Sequence, residues 1–207
     1  MKHIDLHDLR KYSDALLSRD GEVITLRFAE IADAEALQSY FRGLSAQSRY
    51  NRLMGAASEL PAGQLDRFIH VGDDDGFSLV ATTRRDGVEV IIGEARYAID
   101  DTNDSFEIGL SVDDGMQGQG IGAAILNNLE CRAAGLGAGR LLGDTLRTND
   151  AMLALARKAG FALAPTPGDW KQIRFEKAIT RATQDMPCVR WRLAAMLIQS
   201  NPSLGRA

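Results

Sequence analysis

The run Phe106 to Gly122 is where residue types and spacing come closest to a chemical site. Phe106, Ile108, Leu110 and Val112 alternate with Glu107, Gly109 and Ser111, the period of a half-buried strand. A polar turn follows, and then Gln117-Gly118-Gln119-Gly120-Ile121-Gly122, where, Ile121 apart, the backbone N–H groups are free to converge on one point. A helix is predicted from about Ile121, with Ile121, Ile125 and Leu129 on one stripe. Such a helix start offers unpaired N–H groups and the positive end of the helix dipole. The chemistry this suits is the binding of a phosphate, hence of a phosphorylated cofactor.

The elements that must position this run can be read on either side of it. Val23 to Phe28 reads as a first strand. Asp33 is the expected cap of a helix carrying Leu37, Tyr40, Phe41 and Leu44, and a second helix is expected near Pro61, burying Leu65, Phe68 and Ile69. Phe77 to Thr83, the turn Arg85-Asp86-Gly87, and Val88 to Ile99 read as a long hairpin. Downstream, Arg140 to Leu146 reads as a strand, and Asn149-Asp150 opens a helix through Leu153 and Ala156 that Gly160 closes. Phe161 to Leu163 and Gln172 to Lys177 read as a last strand pair, with Pro165 and Pro167 in the loop between them. Residues 1–20 suit an amphipathic helix or a docked arm, and a helix with Val189, Leu193, Met196 and Leu197 is expected near the end. The order is that of an α/β chain with a mixed sheet, not a repeating βαβ series.

At 207 residues the chain suits one domain with appendages. Its 45% hydrophobic and 25% charged content is that of an ordinary globular protein. A net charge of -4 argues against sequence-independent nucleic-acid binding. Cys131 and Cys188 make no disulfide framework, the start Met1 to Asp8 has no apolar stretch of a secretory signal, and no run of about 18 apolar residues suggests a membrane span. A cytoplasmic protein with reduced thiols and no membrane partner is the expectation. His3, His7 and His70 are scattered and make no metal site with either cysteine. Asp73-Asp74-Asp75 reads as a solvated loop.

The glycine run admits two other readings. Gly118-x-Gly120-x-x-Ala123 fits a dinucleotide fingerprint, with Asp144 as the ribose acid. Against it, Asp113 to Gln117 separate strand from glycine where the dinucleotide turn is tight, and only about 60 residues follow Asp144, too few to complete a doubly wound sheet. The run could also be a turn that merely joins strand to helix.

The spacing Gln117-x-x-Gly120-x-Gly122 resembles the acyl-CoA pyrophosphate loop of the GCN5-related N-acetyltransferases (GNAT). The segment Arg147 to Phe161, with Asn149 at its helix start and a closing Gly160-Phe161, is similar to a second block of that family, and Arg27 to Ala34 to its first strand and turn. The resemblance spans about residues 22–178. Within the family, Leu44 to Leu53 and Asp66 to Val71 look like Pat-type protein lysine acetyltransferases. It implies a GNAT fold, that is, a mostly antiparallel mixed sheet with helices on both faces and a splayed strand pair that binds acyl-CoA. The implied layout is an N-terminal arm over 1–21, the acetyltransferase domain over 22–178 and a helical extension over 179–207.

The resemblance also implies roles. The backbone of Leu110, Ser111 and Val112 would pair with the pantetheine arm, and the Leu110 N–H would polarise the thioester carbonyl. The N–H groups of Gln117, Gly118, Gln119, Gly120, Ile121 and Gly122 would take the pyrophosphate. Asn149 would contact pantetheine, a role compatible with capping its helix, and Met152 is placed either against the cofactor or in the core. A lysine amine, with a reference pKa of about 10.4, must lose its proton before attack. Glu107, three residues before Leu110 and at a position where Pat-like enzymes carry a glutamate, is the candidate base. Glu94 and Asp144 are lesser candidates for binding substrate. The family's frequent acid, a tyrosine seven residues after the helix-start asparagine, is here Ala156, and no tyrosine follows Tyr97. The expected function is transfer of acetyl from acetyl-CoA to an amine, protein lysine ahead of a small molecule, by direct attack and without metal. The alternatives are a small-molecule amine acetyltransferase and a non-catalytic CoA sensor. A homodimer through the C-terminal stripe is a further possibility.

Overall fold

The alternating apolar segments line up in one eight-stranded sheet in a computed structural model that describes residues 12–71, 76–100 and 103–179. The strands are β1 (Asp14–Leu17), β2 (Val23–Phe28), β3 (Gly76–Arg85), β4 (Val88–Asp100), β5 (Ser105–Val112), β6 (Arg140–Leu146), β7 (Ala162–Thr166) and β8 (Asp169–Ala178). Their order is β1-β2-β3-β4-β5-β6-β8-β7, antiparallel throughout except for β5 beside β6. The helices are α1 (Ala34–Gly43), α2 (Ala46–Leu53), α3 (Ala62–Ile69), α4 (Ile121–Leu136) and α5 (Asp150–Lys158).

Period-two alternation decides which face each strand residue covers. In β3, Phe77, Leu79 and Ala81 enter a large core shared with Ile121, Ile125 and Leu129 of α4, while Val80 enters a second core with Leu37, Phe41 and Phe68 of α1 and α3. The sheet is thus covered on both faces. Phe77, Tyr97 and Phe106 stack across β3, β4 and β5 with ring centroids 5.0 Å apart at each step, which locks the strands that lead into the site. Asp86 and Gly87, both at positive φ, form the two-residue hairpin turn between Arg85 and Val88.

Three local expectations are corrected, and one helix is added. Of the two readings of residues 1–20, residues 14–17 exclude the amphipathic helix: they form the edge strand β1, paired with β2 and docked through Asp14 on the buried Arg132 of α4 at 3.3 Å. Asp33 gives α1 no side-chain cap. Its carboxylate instead accepts the Glu30 N–H at 2.7 Å and takes both arms of Arg27, at 2.7 and 2.8 Å. α2 is a helix that periodicity did not reveal, since none of its residues is buried. Pro165 lies within β7, the outermost strand, where a missing N–H costs no ladder bond. The arm before Tyr12, His3, His7, the run 73–75, Cys188 and the stripe 189–197 lie outside the described residues.

Candidate active site

β5 and β6 are parallel neighbours for three residues only, Ser105, Phe106 and Glu107 against Arg140, Leu141 and Leu142. At the next step Gly143 brings the strands into contact: a Cβ there would lie 2.5 Å from the Ile108 carbonyl and 2.4 Å from the Phe175 ring. Beyond it the strands part, and the β6 side of Gly109 to Val112 has no strand partner. A groove of about 560 Å³ occupies the gap, lined by Glu107 to Val112, the glycine run, Asp144 and Thr145, and the first turns of α5.

The floor of one end is the glycine run. Gly118 and Gly120 adopt φ of +78° and +86°, the left-handed region that only glycine enters at little cost, and a Cβ on either would meet open space. The conformation, not crowding, requires glycine. Gly120 is the residue before α4, so the turn delivers the helix start into the groove. Gln117, Gly118, Gly120 and Gly122 line it. The Ile121 side chain is buried in the core, and Gln119 turns its carbonyl to the Arg19 N–H at 2.8 Å.

At the other end, the exposed Glu107 lines the groove where β5 and β6 separate. Four residues further along β5, at Ser111, runs a chain of buried and part-buried polar groups. Arg52 of α2 grips Glu94 through Nε at 2.5 Å and Nη2 at 2.9 Å, Ser111 donates to Glu94 at 2.5 Å, and Tyr40 donates to Ser111 at 3.0 Å. Burial, reinforced by the charge of Glu94, pushes the Tyr40 phenol well above its usual range, so it stays a donor. Glu94 is fully buried and is the partner of Arg52 and Ser111, not a group presented to substrate. Asp144 lines the groove but is likewise committed, to Arg174 at 2.7 and 3.1 Å and to Thr166 at 2.8 Å. Although burial raises its pKa, those bonds hold it below the usual carboxylate range.

Of the catalytic and cofactor-binding candidates drawn from sequence, all but Gln119 and Ile121 line this one groove. Leu110, Ser111 and Val112 form the open strand edge. Asn149 caps α5 by accepting the Met152 N–H at 3.2 Å while its Nδ2 reaches Thr145 Oγ1 at 3.0 Å, and both Asn149 and Met152 line the groove. Met152 also packs against the core, so its two sequence readings coexist. Sequence reasoning missed Arg52 and the role of Tyr40: nothing local distinguishes an arginine on an exposed helix or a tyrosine in an apolar stripe. α2 is placed by its N-terminal Ser45 and Ser48, which bond Asp114 at 2.8, 3.1 and 2.6 Å, and by Arg52 at the other end. Among the described residues no cluster of histidine, cysteine, aspartate or glutamate suits a metal ion, and no helix is long and apolar enough to cross a membrane.

An open strand edge continuous with a helix-start cradle suits a ligand with an amide-bearing arm and a pyrophosphate. Comparison with known proteins agrees. Residues 37–161 match the acetyltransferase (GNAT) family. An acetyltransferase of Pseudomonas aeruginosa is 25% identical over 154 residues, 74% of this chain and 83% of its own. Among solved structures, the GNAT domain of Streptomyces lividans (S. lividans) PAT superposes with a TM-score of 0.73 at 24% identity, covering 85% of this chain and 99% of that one. A spermidine N-acetyltransferase from Vibrio cholerae, in complex with CoA and spermine, gives 0.62 at 15% identity over 76% of this chain and 96% of its own.

Proposed function

This chain belongs to the acetyltransferase (GNAT) family, and on that premise we propose that it carries acetyl from acetyl-CoA to a single primary amine, in the first place a protein lysine, with Glu107 as the general base. The observation that carries the proposal is the exposed Glu107 carboxylate in the groove at the point where β5 leaves β6. The lysine reading rests on the resemblance of Leu44 to Leu53 and Asp66 to Val71 to Pat-type protein lysine acetyltransferases.

The charges in the groove favour one amine over a polyamine. Among the described residues its lining carboxylates are Glu107 and Asp144, and Asp144 is occupied by Arg174. Arg52 lines the same wall but is neutralised by Glu94, so that pair offers no anion to a second cationic centre. A polyamine needs several uncommitted anions, and among the described lining residues Glu107 is the one carboxylate outside an ion pair.

In the proposed reaction acetyl-CoA supplies the thioester. The unpaired edge of Gly109 to Val112 holds the arm by main-chain bonds, and the Leu110 N–H stabilises the oxyanion that develops at the carbonyl. Glu107 takes the amine proton, directly or through one water. The nitrogen then attacks and the C–N bond forms, the nitrogen gives its second proton to solvent, the C–S bond breaks and the thiolate leaves. Ser111 is not the proton donor to it, since its hydroxyl hydrogen is directed to Glu94. Solvent supplies that proton, or CoA departs as the anion.

Glu107→Gln tests the assignment. Removing a general base at constant shape should lower kcat about 100-fold while acetyl-CoA affinity, measured by titration, stays within a factor of about two. CoA release at the wild-type rate in the variant would falsify the base assignment. The acceptor class is checked by screening thiol release over lysine-containing proteins, polyamines, aminoglycosides and amino acids. A polyamine turned over faster than any protein lysine would reverse the substrate order.

A further inference from the structure

The glycine-rich cradle carries no cation of its own. From Asp113 to Gly122 the only charged residues are Asp113 and Asp114. Asp113 accepts the Gly115 N–H at 3.0 Å, and Asp114 is bonded to Ser45 and Ser48. Gln117 spends its amide N–H on the Val112 carbonyl at 3.1 Å. Backbone N–H groups and a helix dipole would therefore face a doubly charged pyrophosphate with no side-chain counter-charge from the loop.

Among the described residues the cations lining the groove are Arg19, Arg52, Arg96 and Lys158. Arg52 and Arg96 belong to the Gly109 end. Arg52 Nη1 lies 3.2 Å from where a Gly109 Cβ would be, Arg96 stands opposite Gly109 in the β4–β5 register, and Arg52 is neutralised by Glu94. Lys158 is the last residue of α5. Arg19 is different, because it is bonded to the glycine run itself through its N–H to the Gln119 carbonyl at 2.8 Å. It projects from the β1–β2 turn, which is ordered by reciprocal bonds between Ser18 and Glu22, each 2.9 Å, and by Gly21 at φ +83°. Its side chain is exposed and has no ion pair among the described residues.

We infer that Arg19 is the side-chain counter-charge for the CoA pyrophosphate. The guanidinium is a planar fork that matches two phosphate oxygens, and its Cα is already fixed to the loop that holds the other side of the same group. Binding then orders only the side chain. The inference brings in a residue that precedes the family-matched segment 37–161. It makes β1 and its turn part of the cofactor site rather than an appendage.

The inference rests on acetyl-CoA as cosubstrate but not on any acceptor. Arg19→Gln retains the backbone bond and removes the charge. Its affinity for CoA and for dephospho-CoA, by isothermal titration, should each fall about tenfold, while affinity for pantetheine, by NMR titration, should not change. Arg19→Lys should recover part of the loss, and the difference from wild type should shrink as salt rises. Equal CoA affinity in the two proteins would overturn the assignment. A loss for CoA without one for dephospho-CoA would move Arg19 to the ribose phosphate and overturn it too. An equal loss for pantetheine would reduce Arg19 to a structural role. If the unsubstituted protein fails to bind CoA, it is the acetyl-CoA reading that falls.

Discussion

Arg52 and Glu94 form a contact in which one partner cannot be removed without penalty. Glu94 is fully buried and accepts from Arg52 and Ser111, so deleting the guanidinium leaves an uncompensated buried carboxylate. Arg52→Met should therefore cost about 3 kcal/mol. Combining it with Glu94→Leu should restore part of that stability, because the second change removes the stranded charge. Urea denaturation of the two variants checks this, and a double variant less stable than the single would rule out charge as the cause. The pair also explains why two glutamates on neighbouring strands have different roles. Glu94 faces the helix-covered interior beneath the groove, whereas Glu107 stands exposed on the groove itself. Both were visible as carboxylates on predicted strands. Their division of labour depends on an arginine 42 positions before Glu94, which no local pattern links to it.

The strand–loop–helix unit was the most legible element, because its conformation is written in adjacent residues. Alternation predicts β5, and glycines at the turn predict a backbone that other residues resist. Gly120 tests that physics cleanly. A Cβ there meets nothing within 4 Å, so Gly120→Ala should cost only the left-handed penalty of about 1–2 kcal/mol. If relaxation instead displaces the loop, affinity for CoA should fall by more than stability does. Thermal unfolding with and without CoA separates the two, and an unchanged Tm in both would show that the φ of +86° is not required. α2 was illegible for the opposite reason. It buries no residue, so it has no apolar stripe to read. Its position is set by serines on Asp114 and an arginine on Glu94, each contributed from far along the chain.

Across the molecule, bound carboxylates tie distant segments together and make the fold sensitive to acid. Asp33 joins β2 to the start of α1 through Arg27, and Asp144 joins β6 to β8 through Arg174. Burial opposes ionisation at both, but the arginine and hydrogen-bond partners hold their pKa values below the ordinary carboxylate value. A depressed folded pKa stabilises the protein above the unfolded pKa of about 3.9, and that stability is lost as pH falls through the folded value. The urea midpoint should thus hold near neutrality and fall steeply below about pH 4. Asp33→Asn should be less stable at neutral pH and lose less on acidification. An acid limb identical to wild type would show that Asp33 makes no contribution to it.

Read along the chain, the residues already specify an α/β protein, most of its strands and helices, and a helix-start phosphate cradle beside an alternating strand. These are local properties, carried by side-chain period and by glycines whose φ other residues resist. Which face of β5 opens, where β6 leaves it, and which carboxylate remains uncommitted are matters of packing. Gly143 against Ile108 sets the point of departure, Arg52 and Arg174 neutralise Glu94 and Asp144, and the β1–β2 turn meets the glycine run through Arg19. Each depends on groups brought together from separate parts of the chain, and burial and charge pairing between such groups exist only once the sheet has formed.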